Sequence, residues 1–343
     1  MQSLDITDDS SSGPAEGQLP LVTVLTPVYN GAGYLRQCIE SVLAQSYTNW
    51  IYYIVNNCST DDTLRIAEEY AAREPRIRVV TNQRFVSMPQ NFNTGFALVP
   101  GDSAYCKPVC ADDWLLPSCL SRMVEFAERH RNVGIICCHQ QSGDKVRWRD
   151  LPPSVTVLNG RDACRRALLQ RFQVFGAPTA FLYRADLLRR GKPFFPNDRP
   201  HSDSSACYEA LDSCDYGVVH DVLAVERVHP GQISAELDEM GAGTLAYIEV
   251  LLEYGPRYLD AVEFKHRRET VMSQYYRYLG GAVWKLPGRR FWRFQRTRTG
   301  EIGVKFAPGR VVQGALIEAA AEARHPIAAL RKVSSVLSRR LGA

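Results

Sequence analysis

Five short apolar, β-branched runs between Leu21 and His139 alternate with stretches whose apolar residues recur every three or four positions. A chain written this way builds crossovers of strand, helix and strand, and right-handed crossovers give a mostly parallel sheet covered on both faces. The runs are Leu21 to Thr26, Trp50 to Val55, Ile77 to Val80, Ala104 to Val109 and Val133 to His139. Between them the spacing predicts helices from Leu35 to Leu43, Asp61 to Arg73, Met88 to Val99 and Pro117 to His130. Ser59 or Thr60 is expected to cap the second, with Asp61 and Asp62 at its positive end. Beyond Asp144 the rhythm breaks into a helix (161–170), an apolar strand (180–183), a Pro- and Phe-rich loop, a short helix (203–211) and a strand (218–227). Past Glu236 helical periodicity runs to the end.

Three regions follow: a polar tail over 1–18, too poor in apolar residues to offset chain entropy, an α/β domain over 19–235, and a helical basic region over 236–343. With 45% hydrophobic and 23% charged residues in 343, the chain has a core of useful size, and collagen-like or wholly disordered classes are excluded. The net charge of +4 is mild, so any basic surface is local. The ten cysteines form no CxxC pair, which removes the zinc-ribbon and thioredoxin readings. An acidic, Ser-rich start and the lack of a run of about 20 apolar residues point to the reduced cytosol, with at most a peripheral place on the inner face of a membrane.

In an open parallel sheet, ligands sit beyond the carboxyl ends of the strands. The segments there are Thr26-Pro27-Val28-Tyr29-Asn30, Asn56-Asn57-Cys58-Ser59, Thr81-Asn82-Gln83-Arg84 and Cys110-Ala111-Asp112-Asp113, all polar or turn-forming. A dinucleotide fingerprint fails, because Gly31 and Gly33 are followed by Arg36 at the third glycine position and strand two ends on Asn56, without an acid. No P-loop is present. Asp112 and Asp113 lie too far before Pro117 to cap the helix there. As adjacent hard oxygen donors at a strand end they suit Mg²⁺ or Mn²⁺ bridging a diphosphate.

Val24 to Asn30, Glu40 to Tyr47, the turn Asn56 to Thr63 and Ala111 to Pro117, in this order and spacing, resemble a family 2 glycosyltransferase with the GT-A fold, over roughly residues 20–235. The resemblance implies inverting transfer of a sugar from a nucleotide-diphosphate donor to a glycan or lipid-linked acceptor hydroxyl, in polysaccharide or cell-envelope glycan synthesis, usually with a divalent metal. It implies that Thr26, Pro27, Tyr29, Asn30, Asn56, Asn57, Ser59, Asn82, Asp112, Asp113 and Arg227 hold the nucleotide sugar. Asp112 stands at the metal-binding position of the DxD motif, and His229, in the R-x-H segment Arg227-Val228-His229, completes the metal sphere or touches the diphosphate. Asp203 falls at the place of the catalytic carboxylate, where it also suits a helix cap. Two positions depart from the family: its turn reads Asp-Asp-Gly-Ser where this chain has Asn56-Asn57-Cys58-Ser59, and the first DxD residue is Cys110. An amide in place of the base-binding acid weakens that hydrogen bond from ~1.5–3 to ~0.5–1.5 kcal/mol, and the expected consequence is altered nucleotide choice. The same losses of charge motivate an alternative, a catalytically degenerate protein that binds a glycan or partner.

Phe175 to Thr179 and Phe194-Phe195 either flank a sugar acceptor or pack in the core. Residues 271–300 carry seven basic residues and no acid, interleaved with Trp284, Phe291, Trp292 and Phe294, and 330–341 is a second basic amphipathic stretch. These fit a solvated helical appendage or peripheral contact with an anionic membrane. No nucleic-acid-binding motif accompanies the charge, so nucleic acid is not an expected partner.

Overall fold

A computed structural model describes residues 19–170, 175–196, 198–199, 201–229, 231–232, 237 and 239–323. The expected tail over 1–18 and the basic stretch over 330–341 lie outside the described residues. The chain divides into two compact units, one of Met1–Ala163 with Gln173–Arg227 and one of Cys164–Phe172 with Val228–Ala343.

The first unit is an open sheet with helices. Its strands are β1 (Val22–Val28), β2 (Trp50–Asn56), β3 (Ile77–Thr81), β4 (Tyr105–Pro108), β5 (Trp114–Leu115), β6 (Val133–Ser142), β7 (Lys145–Arg147), β8 (Val157–Leu158), β9 (Phe181–Arg184) and β10 (Asp215–Glu226). They are ordered β3-β2-β1-β4-β9-β6-β10-β5, with β7 beside β6 and β8 beside β10. The helices are α1 (Leu35–Leu43), α2 (Thr63–Ala71), α3 (Met88–Ala97), α4 (Cys119–Arg129), α5 (Gly160–Gln170), of which the part from Cys164 belongs to the second unit, and α6 (Ser202–Ala210). Every residue of β1 is buried, as is expected where both faces of a central strand are covered.

The elements read from periodicity are present within a few residues at each end, and three features differ. The apolar run after Ala180 is β9, inserted antiparallel between β4 and β6, so the parallel order is broken at the centre of the sheet. Trp114-Leu115, which reads as loop, forms β5 against β10, because Leu115 and Trp114 register with Ala224 and Val225. The N-cap of α2 is neither Ser59 nor Thr60 but Asp62, which makes no side-chain cap bond. The neighbouring Asp61 Oδ1 accepts the Thr63 N–H at 3.0 Å, while Ser59 and Thr60 turn toward Asn30.

The second unit is helical among its described residues, with α7 (Ala242–Tyr258), α8 (Ala261–Trp284), α9 (Arg289–Glu301) and α10 (Pro308–Ala323). Asp260 and Glu263 form a reciprocal capping box at the start of α8. Leu168 is tied into this unit through its carbonyl oxygen, which accepts from Arg267 Nε at 2.8 Å and from the Tyr247 hydroxyl. No described helix is long and apolar enough to cross a membrane. Helices α8 and α10 approach through Gly280 and Gly314: a Cβ on Gly280 would overlap the backbone of Gly314 and Ala315, and one on Gly314 would overlap the Tyr276 carbonyl. Backbone cannot move aside as a side chain can, so Gly280→Ala or Gly314→Ala is expected to cost about 1–3 kcal/mol. Urea denaturation of the single variants, against Gly281→Ala, whose Cβ meets only the Glu318 side chain, checks this.

Candidate active site

The parallel register sets the site. Val28 pairs with Asn56 and Asn56 with Thr81, so β1, β2 and β3 end level and the segments after them leave the sheet side by side. Strand β4 ends three residues short of that level, with Pro108 opposite Leu25 and the Val109 N–H donating to the Leu25 carbonyl oxygen at 2.8 Å, and the Cys110–Asp113 loop follows it.

Hydrogen bonds then lock the first two loops together. The Asn30 and Gly31 N–H groups donate to Ser59 Oγ (2.9 Å) and Thr63 Oγ1 (2.8 Å), the Ala32 N–H donates to Asp61 Oδ2 (3.1 Å), and Asn30 Oδ1 accepts from the Thr60 N–H (2.8 Å). Asn30 sits in the left-handed region (φ 49°), which Asn tolerates, and so does Cys58 (φ 57°). Cys58 stands where the family turn carries glycine. The strained backbone is retained, and the Cys58 thiol donates to the Asn82 carbonyl oxygen at 3.1 Å.

The two asparagines do different work. Asn57 is 3% exposed; its Oδ1 accepts from Asn82 Nδ2 (2.9 Å) and the Val86 N–H (3.0 Å), and its Nδ2 donates to the Val86 carbonyl oxygen (2.8 Å). It therefore holds the 82–86 loop in place. Asn56 accepts one bond, from the Ser59 N–H (3.1 Å), and donates to Thr81 Oγ1 (3.3 Å). One acceptor position on its carbonyl oxygen is left over. Thr26 and Pro27 are buried, and the Thr26 hydroxyl pairs with the Tyr52 hydroxyl at 2.8 Å. Tyr29 and Phe85 are exposed and meet edge to face with centroids 4.8 Å apart. Asn82, Gln83, Arg84 and Val86 line an open cavity of about 530 Å³.

After β4, one ligand atom each of Cys110, Asp112 and Asp113 lies within 4.8 Å of the others. Asp113 is buried and spoken for. Its Oδ2 accepts from the Thr179 hydroxyl (2.6 Å) and Gln140 Nε2 (3.5 Å), and its Oδ1 from the Arg227 N–H (3.2 Å). Burial, and then the neighbouring Asp112 charge, push its pKa up to about 7, against the opposing pull of Thr179 and Arg227. Cys110 and Asp112 are only partly buried. The Arg227 guanidinium lies 4.9 Å from the ring centroids of both Tyr34 and Trp114. Its Nε donates to the Asp112 carbonyl oxygen (3.1 Å), and its Nη2 donates to Gln37. The guanidinium is thereby held against the backbone of the Cys110–Asp113 loop.

Asp203 sits in the first turn of α6, where its Oδ1 accepts the Ser204 N–H at 2.7 Å. Burial raises its pKa, opposed by His201 and the Ser204 amide. His229 belongs to the second unit, where its backbone N–H donates to Gln232 Oε1 at 3.1 Å. Phe195 is buried and packs with Phe92, Phe96 and Phe194, so its part in the expected acceptor flank is core packing. Thr179 lies under Asp113.

Sequence reading missed Lys107, and it placed Thr179 at the end of an acceptor flank where the structure bonds it to Asp113 and Cys110. Lys107 is wholly buried in β4, and its ammonium donates to the carbonyl oxygens of Thr179 and of Phe181 (3.0 Å). That pins the Pro178–Ala180 turn, whose Thr179 hydroxyl also accepts the Cys110 N–H at 3.0 Å. A lysine inside an otherwise apolar strand was the available signal.

The comparisons agree with this architecture. Residues 23–191 match the family model described as Glycosyl transferase family 2. The chain is 31% identical over 163 residues to the putative glycosyltransferase EpsE of Bacillus subtilis, covering 46% of this chain and 58% of that protein. It is 32% identical over 122 residues to the chondroitin synthase of Escherichia coli, covering 36% and 17%. The chain thus spans little more than half of EpsE. Among solved structures it resembles S. aureus TarS 1-349 in complex with UDP-GlcNAc (TM-score 0.60, 16% identity, 82% of this chain and 80% of that one). It also resembles the mannosyltransferase PcManGT from Pyrobaculum calidifontis in complex with GDP-Man and Mn²⁺ (TM-score 0.53, 16% identity, 91% and 89%).

The two asparagines are both buried, 1% and 3% exposed, but their bonds lead to unequal expectations for the same substitution. Asn57→Asp buries a charge and leaves the Val86 carbonyl without its donor, for a loss of about 2–4 kcal/mol. Asn56→Asp also buries a charge, but it keeps the acceptor for Ser59 and can take a hydrogen bond from the Thr81 hydroxyl, so it strands no partner and is expected to cost less than Asn57→Asp. Chemical denaturation of the two variants side by side measures the contrast. With its α/β sheet and its level strand ends, the stretch matched over residues 23–191 belongs to glycosyl transferase family 2.

Proposed function

We propose that the chain is an inverting glycosyltransferase. It takes a sugar from a nucleoside-diphosphate donor and gives it to a hydroxyl of a glycan or lipid-linked acceptor in cell-envelope polysaccharide synthesis. The observation that carries the reading is the level ending of β1, β2 and β3 with the Cys110–Asp112–Asp113 cluster and the fixed Arg227 guanidinium beside them. That combination offers polar loops for a nucleoside and a cation for a diphosphate. The relatives named for glycosyl transfer, and the neighbours whose titles name UDP-GlcNAc and GDP-Man, support it.

On the donor side, Tyr29 and Phe85 present aromatic surface for the base, and Asn56 Oδ1 offers an acceptor to a base N–H. Arg227 offsets the charge of the departing diphosphate. The donor set fits a divalent cation in part: Cys110 and Asp112 are partly exposed, whereas the Asp113 oxygens are already bonded. Asp112, with Cys110 beside it, would hold Mg²⁺ or Mn²⁺, with Asp113 fixing the loop. Such an ion supplies charge neutralisation at the leaving group.

On the acceptor side, Asp203 takes the proton from the attacking hydroxyl. The acceptor oxygen bonds to the anomeric carbon as the bond to the diphosphate oxygen breaks, and the electron pair leaves with the diphosphate. Attack from the opposite face inverts the carbon.

Two measurements test this. In a thermal-shift panel of UDP-, GDP- and dTDP-sugars with and without Mn²⁺ or Mg²⁺, one donor is expected to raise the melting temperature only with metal, and Asp112→Ala to abolish the shift. Silence across the panel would overturn the donor-site reading. Asp203→Asn is expected to cut turnover by roughly 10²–10⁴-fold and leave the donor-induced shift intact, and near-normal turnover would remove Asp203 from the mechanism. A base must be ionised and burial raises the Asp203 pKa, so kcat/KM should fall with decreasing pH on a limb above the ordinary carboxylate range. That limb should vanish from the residual activity of Asp203→Asn.

A further inference from the structure

The corner between α8 and α9 combines three features that the sugar-transfer chemistry leaves unused. The first is apolar surface held in water: Trp284 is 57% exposed and Leu286 66% exposed. The second is backbone strain. Leu286 adopts φ 50°, the left-handed conformation that glycine usually supplies just after a helix end. A leucine there is unfavourable, and at this exposure little packing within the chain offsets the strain. The third is charge. Lys285, Arg289, Arg293 and Arg296 are exposed, and none makes a described ion pair, whereas Arg277 pairs with Glu318 and Arg298 with Glu249 and Glu301.

The arrangement is one-sided. Arg289, Arg293 and Arg296 follow the i, i+4, i+7 spacing of a single helical stripe. The inward side of α9 is occupied by Phe291, Gln295 and Thr299, and Gln295 Oε1 accepts from the buried Tyr275 hydroxyl at 2.9 Å. Two arginines stand in the first turn of α9, where the helix dipole favours acids, and Gly288 gives no side-chain cap. Trp284 directs its indole N–H to the Ala315 carbonyl oxygen at 3.3 Å while its ring remains largely in water.

We infer that this corner docks on the surface of an anionic lipid bilayer, with Trp284 and Leu286 entering the boundary between headgroups and acyl chains and the Lys285–Arg289–Arg293–Arg296 stripe lying against the phosphates. Charge complementarity selects an anionic partner. The apolar pair selects a bilayer over a soluble polyanion, because Leu286 has nothing to offer a nucleic acid or an acidic glycan, and a leucine and an indole suit the interfacial region. This inference stands apart from the reading of the donor site.

The test is co-sedimentation of the full chain with phosphatidylglycerol–phosphatidylcholine vesicles and with pure phosphatidylcholine vesicles, at low and high salt. Binding is expected to the anionic vesicles only and to weaken with salt. Leu286→Gly relieves the strained backbone, so it is expected to fold with an equal or higher melting temperature, yet to partition about tenfold more weakly. Arg289→Gln with Arg293→Gln should weaken partitioning roughly twenty-five-fold, about fivefold for each charge. The proposal is overturned if the chain ignores anionic vesicles at low salt, binds both vesicle types equally, or binds them as tightly in the two variants as in the parent. Retention on heparin without vesicle binding would also overturn it and give the stripe to a soluble polyanion.

Discussion

A carboxylate withdrawn from water must be given hydrogen-bond donors by the protein, and Asp113 collects them from distant parts of the chain. Thr179 arrives with the turn before β9, Arg227 with the end of β10, and Gln140 from β6. Each bond fixes a different element against the loop after β4, so the geometry of Cys110 and Asp112 follows from satisfying their neighbour. Lys107 extends the same logic one layer deeper. Its buried ammonium holds the Thr179 and Phe181 carbonyl oxygens, and through them the turn that presents the Thr179 hydroxyl. Removing one partner of such a chain strands the others, which costs more than the bond itself contributes.

These long-range bonds divide what the sequence shows from what it hides. The elements β1 to β4 and α1 to α4 are legible because a period of two or of 3.6 is a local property, and the polar segments after those strands announce the site edge. Asp113 to Thr179 spans 66 residues and Asp113 to Arg227 spans 114, and no periodicity encodes such pairings. The same limit hides β9. Its four residues read correctly as an apolar strand, but their place between β4 and β6 depends on partners far away in the chain. The cap of α2 was misplaced for a different reason. Ser59, Thr60, Asp61 and Asp62 are all competent caps, and the choice among them is made by Asn30 and Ala32, which use Ser59, Thr60 and Asp61 to join the first loop to the second.

The departures from the family turn acquire physical content once the loop is seen in place. A carboxylate at position 57 can accept from Asn82 and from the Val86 N–H, yet it cannot donate to the Val86 carbonyl; an asparagine does all three. The amide at 57 is therefore suited to how this chain folds its 82–86 loop. The amide at 56, 1% exposed, accepts from the Ser59 N–H and donates to Thr81, and ties the turn to the end of β3. Cys58 completes the pattern, since its thiol bonds the Asn82 carbonyl oxygen while its backbone keeps the left-handed angle that glycine would supply. The turn has kept its shape and exchanged its charge for neutral hydrogen bonds.

That exchange changes the electrostatic balance of the donor loops. With Asn56 and Asn57 in place of acids and Cys110 in place of the first DxD acid, the remaining carboxylates near the fixed Arg227 are Asp112 and Asp113, and burial pushes the pKa of Asp113 up to about 7. A site with less fixed negative charge repels a diphosphate less and attracts a divalent cation less. Under the proposed function Arg227 gains weight in holding the leaving group, and its position between Tyr34 and Trp114, bonded to the Asp112 carbonyl, keeps the guanidinium in place before any donor arrives.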